Sequence, residues 1–269
     1  MNDEVDFTLA FQDTCDQIPL LLIHGFPLSG AMWELQLEDL DDVARVIAPD
    51  LRGHGRSDAT PPPYSMQQLA EDCTGLLDFL GITRPAVVCG LSMGGYIAFE
   101  LYRRFPDYVA GLILTATRAT ADSAEGKANR DRMAETIRQQ GIQPLVDAML
   151  PKLFAPQTYE NDPELVEFVR EMMSHTSVDG AIGALAAMRD RSDSTPTLAQ
   201  IDVPTLIIHG RHDQIVPLAE AEAMRDAIPN ARLVVLENAG HLPNLEQPDE
   251  FNDAVIDFLE SIAAEEEED

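Results

Sequence analysis

The alternation of two kinds of segment restricts the fold of this chain more than any other feature of its sequence. Short apolar segments rich in β-branched residues alternate with amphipathic segments of helical length. This pattern is typical of a mostly parallel sheet with helices on both faces, because parallel strands need long crossovers and are buried on both sides. The predicted strands are residues 19–23, 45–48, 86–89, 112–115, 205–208 and 232–236, with an antiparallel edge hairpin over residues 5–12. The predicted helices are residues 66–80, 93–104, 218–227 and 250–262.

The alternation stops between residues 121 and 193, where the sequence predicts helices only. The sequence therefore predicts an α/β core of residues 1–120 and 194–269 with a helical insertion of residues 121–193. Within the insertion, one apolar stripe follows a helical period through Leu165, Phe168, Val169, Met172 and Met173. Five of the ten methionines also lie there, and their flexible side chains suit either an adaptable apolar cavity or packing of the insertion onto the core. They are Met133, Met149, Met172, Met173 and Met188.

The chain is strongly acidic, because 47 Asp and Glu residues against 18 Lys and Arg residues give a net charge of −29. A surface of this sign repels nucleic acid and anionic membranes, so neither is an expected partner. Only Lys127 and Lys152 are lysines. An acidic excess with few lysines fits adaptation to high salt, where ions screen the self-repulsion, and it fits a simple gain in solubility equally well.

The three cysteines, Cys15, Cys73 and Cys89, cannot all pair and have no spacing typical of a metal site. Neither a disulfide framework nor a structural zinc is therefore expected. The first ten residues are acidic where a secretory signal is basic, and no apolar run approaches the roughly 18 residues that a membrane span needs. We expect a cytoplasmic protein.

A serine flanked by glycines gives the clearest indication of chemistry. The segment Gly90-Leu91-Ser92-Met93-Gly94 joins a predicted strand to a predicted helix. A serine on such a sharp turn needs glycines two residues before and after it, because side chains there would keep the strand and the helix apart. The turn exposes the hydroxyl beside a helix N-terminus, which favours negative charge. Ser92 is therefore the candidate nucleophile.

A serine hydroxyl needs a base to take its proton and a third group to orient that base. His241 lies in a loop directly after the last predicted strand, and Asp213 follows the strand predicted at residues 205–208. Loops at the carboxyl ends of parallel strands converge on the ligand crevice of an open sheet. We therefore predict a Ser92, Asp213, His241 triad, in a chain order known for this kind of architecture.

The other five histidines have structural explanations. Three of them, His24, His54 and His209, lie at strand ends or turns, where the ring can brace the backbone. His175, in the insertion, faces either solvent or substrate. His212 is adjacent to Asp213, but neighbouring loop residues rarely point the same way.

Acyl transfer also needs hydrogen-bond donors for the oxyanion that forms on the substrate. Each donor is worth about 2.7–4 kcal/mol of transition-state stabilisation. The backbone N–H of Met93 follows the nucleophile, and that of Phe26 lies in the loop after the first core strand. These two N–H groups are the predicted oxyanion hole.

Taken together, these motifs resemble those of a cofactor-independent enzyme of the α/β-hydrolase fold, over nearly the whole chain. The resemblance is carried by His24-Gly25-Phe26-Pro27, by Asp50-Leu51-Arg52-Gly53-His54-Gly55-Arg56-Ser57, by the Ser92 turn and by the loops of Asp213 and His241. The chain is similar to small esterases, haloperoxidase-like perhydrolases and enol-lactone hydrolases. The resemblance implies that the insertion forms a helical cap over the active site and that neither a metal nor another cofactor takes part.

The expected function is hydrolysis of a small soluble carboxylic ester through an acyl-enzyme at Ser92. One alternative is a lactonase for a carboxylated enol-lactone, which needs a cation near the pocket; Arg118 follows a predicted strand and could supply it, or could form a surface ion pair. Another is a ligand receptor with vestigial turnover. Further candidate substrate contacts are Met149, Met188 and Leu242. The oligomeric state is not predicted.

Overall fold

The fold is built around one twisted sheet. The computed structural model describes residues 7–14 and 17–268, with side chains described through residue 264. In this part of the chain the sheet has seven strands in the order β1-β3-β2-β4-β5-β6-β7, and only β1 runs antiparallel to its neighbour. The strands are β1 (Phe11–Asp13), β2 (Ile18–Ile23), β3 (Ala44–Pro49), β4 (Ala86–Leu91), β5 (Val109–Thr115), β6 (Thr205–Gly210) and β7 (Arg232–Leu236).

Helices connect the strands and cover both faces of the sheet. Those outside residues 121–193 are α1 (Glu34–Asp39), α2 (Met66–Phe79), α3 (Met93–Arg104), α9 (Thr195–Leu198), α10 (Leu218–Ala227), α11 (Pro243–Glu246) and α12 (Pro248–Glu268). The helices within residues 121–193 are α4 (Ala124–Gln140), α5 (Gln143–Met149), α6 (Pro156–Asn161), α7 (Pro163–Ser174) and α8 (Val178–Asp190).

Several helices begin where the sequence provides a capping side chain. Ser65, Ser123, Asp162 and Ser177 precede α2, α4, α7 and α8, and each side chain accepts an N–H from the first turn of its helix. Such a bond satisfies a backbone donor that has no partner within the helix, which stabilises the helix by about 1 kcal/mol. Local sequence therefore fixes these four starting points.

The strand order creates a crevice at one place on the sheet edge. From β2 the chain moves to β3 on one side, whereas β4 lies on the other side of β2 and leads on to β5, β6 and β7. Ile23 pairs with Gly90, so β2 and β4 end side by side. The loops that follow them leave in opposite directions, which is where open α/β sheets bind ligands. Ser92 follows β4 directly at this point.

The predicted core strands and helices are confirmed, and most of them extend beyond their predicted ends. The predicted edge hairpin is reduced to β1, which pairs with β3, while residues 7–10 are not in a strand and residues 5 and 6 lie outside the described residues. Helix α1 was not predicted. It is six residues long and follows a 3-10 turn whose Trp33 is completely buried.

The helical segment 121–193 contains no strand in the structure, and all of it is described. Its helices share the core of the molecule: Ile137, Leu145 and Ala184 belong to one apolar cluster, and Phe154 and Met173 belong to the other. The apolar stripe on α7 is half-buried at its start and buried from Val169 onward. The division of the chain into a core and an insertion stays a prediction.

The two cysteines in the described part of the chain, Cys73 and Cys89, are buried free thiols, and Cys15 lies outside it. Burial raises the pKa of Cys89 to about 12, so this thiol stays protonated. No helix among the described residues is both long and apolar enough to cross a bilayer.

We predict that Gly180→Ala destabilises the protein. Helix α8 meets the loop after β3 at Gly180, where an added Cβ would lie 2.1 Å from the carbonyl oxygen of Gly53. Because backbone atoms would have to move, the expected loss is about 1–3 kcal/mol of unfolding free energy. The matched control is Gly75→Ala in α2, where an added Cβ meets nothing within 4 Å. That change is expected to stabilise by up to about 1 kcal/mol. Urea unfolding of both variants tests this, and equal stability of the two would contradict the packing argument.

Candidate functional site

Ser92 occupies a backbone conformation that L-residues rarely adopt, with φ 55° and ψ −107°. The turn is possible because its neighbours have no side chains. A Cβ on Gly90 would lie 2.3 Å from the carbonyl oxygen of Gly94, and one on Gly94 would lie 2.2 Å from that of Ile23. The strand and the helix therefore approach more closely than any other residue type would allow at these two positions.

Three hydrogen bonds hold the backbone of Ser92. Its N–H donates to the carbonyl oxygen of Thr115 at 2.9 Å, and its own carbonyl oxygen accepts from the N–H of Gly95 at 3.0 Å. The same oxygen accepts from the Thr117 hydroxyl at 2.8 Å. Strained backbone persists only where surrounding contacts hold it, and here the end of β5 supplies two of them.

His241 and Asp213 form a buried pair. Nδ1 of His241 lies 2.7 Å from Oδ2 of Asp213, and both side chains are nearly inaccessible to solvent, at 2% and 1% exposed. A carboxylate can only accept, so Nδ1 carries the proton and the lone pair of Nε2 is available as a base. Oδ1 of Asp213 accepts from the N–H groups of Ile215 and Val216 at 2.7 and 2.9 Å.

The surroundings of Asp213 favour its charged form. Burial alone would raise the pKa of this carboxyl group, but the charge and hydrogen bond of His241, the Val216 N–H and the nearby His209 together hold the pKa below its ordinary value. The carboxylate therefore stays ionised beside the imidazole. This arrangement stabilises an imidazolium when His241 takes up a proton.

Ser92 lines a cavity of about 370 Å³ that α4, α5 and α8 cover. Much of its wall is apolar, formed by Met133, Leu145, Met149, Leu185 and Met188. A polar part of the wall is formed by Arg118, Asp122, Asn129 and Arg130. The cavity thus combines space for an apolar group with charged and amide side chains next to the serine.

Of the four predicted substrate contacts, three line the cavity and one lies in the core. Arg118, Met149 and Met188 line the same cavity as Ser92. Leu242 does not; its side chain is 0% exposed and packs in an apolar cluster under the loop. Its position next to the predicted base suggested a contact, but the preceding backbone turns the side chain into the core.

The two predicted oxyanion donors both lie close to Ser92. Met93 is the first residue of α3, and Phe26 lines the cavity with Ser92. A Cβ on Gly25 would lie 3.4 Å from the Cβ of Ser92, so the Phe26 loop is in contact range of the serine. Within the described part of the chain, neither the Phe26 N–H nor the Met93 N–H donates to a protein acceptor.

Sequence reasoning missed several side chains near the serine. Asp122, Asn129 and Arg130 belong to α4 or its start, and this helix is too polar to show an apolar face. Thr117 was not predicted either, because the sequence does not show which carbonyl group the hydroxyl of a threonine after a strand will contact. The cap of α4 at Ser123 was the only local signal that the polar residues begin a helix there.

The remaining histidines have the structural roles that were expected. The Leu51 N–H donates to Nε2 of His24 at 2.9 Å, so Nδ1 of His24 carries the proton and donates to the Gly25 carbonyl oxygen at 2.8 Å. His54 contacts the Arg52 carbonyl oxygen through Nδ1 at 3.0 Å. His209 is buried, with Nε2 at 3.0 Å from the Val216 carbonyl oxygen. The last two, His175 and His212, are exposed.

Comparison with known proteins gives consistent matches along the chain. A family model for the alpha/beta hydrolase fold matches residues 18–248. The chain is 33% identical over 252 residues to 3-oxoadipate enol-lactonase 2 of Acinetobacter baylyi, covering 94% of this chain and 92% of that protein. These matches include the strands that carry Ser92, Asp213 and His241.

Two solved structures have the same architecture. One is a thermophilic esterase from Thermogutta terrifontis with malate bound, with a TM-score of 0.94 and 43% identity over 97% of this chain and 96% of that chain. The other is the enol-lactonase from Burkholderia xenovorans LB400, with a TM-score of 0.87 and 33% identity over 94% of this chain and 96% of that chain.

We predict that the protein loses stability in acid partly through His24 and His54. Burial lowers the pKa of His24 to about 4, and burial together with the neighbouring His24 lowers that of His54 to about 3. The ordinary pKa is about 6.5, so the unfolded chain binds more protons below that pH. Stability is therefore lost as the pH falls from about 6.5 to about 4.

The variant His54→Asn tests this, because its amide nitrogen can replace Nδ1 without taking up a proton. Urea unfolding from pH 7 to pH 4 should show a shallower loss of unfolding free energy than in the wild type. Measurements between pH 7.5 and 8.5, above the titration range, serve as the control. An unchanged slope below pH 6.5 would contradict the prediction.

Proposed function

This chain belongs to the α/β-hydrolase fold family, and on that premise we propose that it is a serine hydrolase that cleaves a small soluble carboxylic ester. The observation that most supports this function is the Ser92 turn, whose strained serine opens into a cavity at the crevice of the sheet. The buried pair of His241 and Asp213 lies in the loops that follow β7 and β6. Relatives named as esterases and enol-lactonases agree with this reaction class.

In the first step of the proposed reaction, Ser92 Oγ attacks the ester carbonyl carbon. Nε2 of His241 takes the hydroxyl proton, and Asp213 stabilises the imidazolium that results. The N–H groups of Phe26 and Met93 donate to the oxyanion. Both have no competing protein acceptor among the described residues, so no existing hydrogen bond has to break.

The first step ends when His241 gives its proton to the leaving alcohol, whose departure leaves the acyl group on Ser92 Oγ. In the second step, His241 takes a proton from a water molecule that attacks the acyl carbon, and returns it to Ser92 Oγ as the carboxylic acid leaves. Helices α4, α5 and α8 are the proposed cap, because their side chains line the cavity beside Ser92. All roles fall to side chains and backbone of this chain, and the proposed chemistry needs neither a metal nor another cofactor.

We expect Ser92→Ala to abolish ester hydrolysis, because no other group in the proposed site can form the acyl-enzyme. With p-nitrophenyl acetate the expected loss in kcat is at least about 10³-fold. The control is Ser174→Ala on the exposed face of α7. A fluorophosphonate should label the wild type but not Ser92→Ala. Full turnover by Ser92→Ala would refute the assignment, and absence of labelling in the wild type would favour the receptor alternative.

One observation favours a second candidate, a lactonase or esterase for substrates that carry a carboxylate. Arg118 lines the cavity with Ser92, and Nη2 donates to the Ile215 carbonyl oxygen at 2.8 Å. A guanidinium in the cavity wall can give a substrate carboxylate a charge-assisted hydrogen bond.

Replacing the guanidinium should therefore discriminate between two esters of similar size. We expect Arg118→Met to lower kcat/KM for p-nitrophenyl hemisuccinate by about 10-fold or more, because the charge-assisted bond is lost. For p-nitrophenyl valerate, which carries no carboxylate, the change should stay within about 3-fold. Arg118→Lys, which keeps the charge, is the control and should retain part of the preference. An equal loss with both esters would show that Arg118 only supports the Ile215 loop.

A further inference from the structure

The carboxylate of Glu246 joins the loop of the proposed base to the helical segment above it. Oε1 accepts from the Gly240 N–H at 2.6 Å. Oε2 accepts from the Ala155 N–H and from the Thr158 hydroxyl, each at 2.7 Å. One carboxylate thus holds residue 240, directly before His241, against the start of α6.

The two segments also touch through their backbones. The His241 N–H donates to the Leu153 carbonyl oxygen at 2.7 Å. A Cβ on Gly240 would lie 2.6 Å from the Ala155 nitrogen, so only glycine permits this contact. On the other side of the loop, a Cβ added to Gly210 at the end of β6 would lie 2.0 Å from the Gly240 carbonyl oxygen. The loop is therefore enclosed between the sheet and the helical segment.

The chemistry of the contacts requires a carboxylate at residue 246. Both oxygens accept from N–H or O–H groups, and the side chain is half-buried. A glutamine could accept on one side only, and its NH₂ group would face an N–H donor on the other. Burial raises the pKa of Glu246 above its ordinary value, so the fold keeps this carboxylate at an electrostatic cost.

We propose that Glu246 is a positioning residue that fixes the His241 loop to the segment of residues 153–158, so that the imidazole keeps its hydrogen bond to Asp213. This inference rests on the proposed function, in which His241 is the base. Glu246 touches neither Ser92 nor the cavity lining. It acts through Gly240 and through the backbone on which His241 is held. The same contacts make the position of the base depend on the docking of the helical segment.

Glu246→Gln tests the proposal because it should lower kcat while leaving KM nearly unchanged. Small displacements of a catalytic group can cost about 10²-fold in rate. We expect kcat for p-nitrophenyl acetate to fall about 10- to 100-fold, with KM changed by less than about 3-fold, because the cavity lining is untouched. The matched control is Glu237→Gln, which removes the same charge from an exposed side chain in the strand-end loop that leads to His241. Its kcat should stay within about 2-fold of the wild type.

Hydrogen exchange provides a readout that does not depend on hydrolysis or on the variant's kinetics. In the wild type, the amide protons of Ala155, Gly240 and His241 should all exchange slowly. In Glu246→Gln, exchange at Gly240 and His241 should accelerate, while Glu237→Gln should match the wild type. Fast exchange of these amides in the wild type, or an active Glu246→Gln with unchanged kcat, would overturn the proposal. Failure of the proposed function would look different, since the wild type itself would then hydrolyse no ester.

Discussion

The structure depends on one close approach, that of β4 and α3 on either side of Ser92. The left-handed backbone of this serine costs on the order of 1–3 kcal/mol, and it persists because glycines at positions 90 and 94 let the surrounding chain hold it. The same approach fixes the N-terminus of α3 and the end of β2 next to one hydroxyl. The Phe26 loop and the cavity both lie next to this turn.

Electrostatics distinguishes the site from the rest of the molecule. The chain carries a net charge of −29, yet the cavity beside the serine contains the Arg118 guanidinium. Among the described residues no ion pair neutralises it, whereas Asp122 on the same wall is already paired with Arg130 and Arg191. The negative field of the whole protein opposes the approach of anions, and this local cation opposes that field at short range. Such a contrast suits selection of a substrate by the position of its charge.

Local sequence determined much of the fold and indicated the residues of the proposed site. The apolar pattern of the sequence predicts the strand before Ser92 and the helix after it. The glycines at positions 90 and 94 indicate the tight turn at Ser92. Asp213 and His241 could be selected because strand ends meet at one edge of a parallel sheet, whatever lies between them in the chain. The structure brings these two side chains within 2.7 Å, as this argument requires. Helix α1 was missed because it is short and its boundary depends on burial of Trp33.

Most of the cavity wall and the support of the proposed base were decided by tertiary structure. Leu242 is adjacent to His241 in sequence but points into the core, and Glu246 reaches a segment about 90 residues earlier in the chain, at Ala155 and Thr158. Polar side chains on α4 line the cavity although that helix shows no apolar face. The physical reason is that strands, caps and tight turns follow from interactions between near neighbours. A cavity, in contrast, is formed by side chains far apart in sequence, and its shape exists only after those segments have packed.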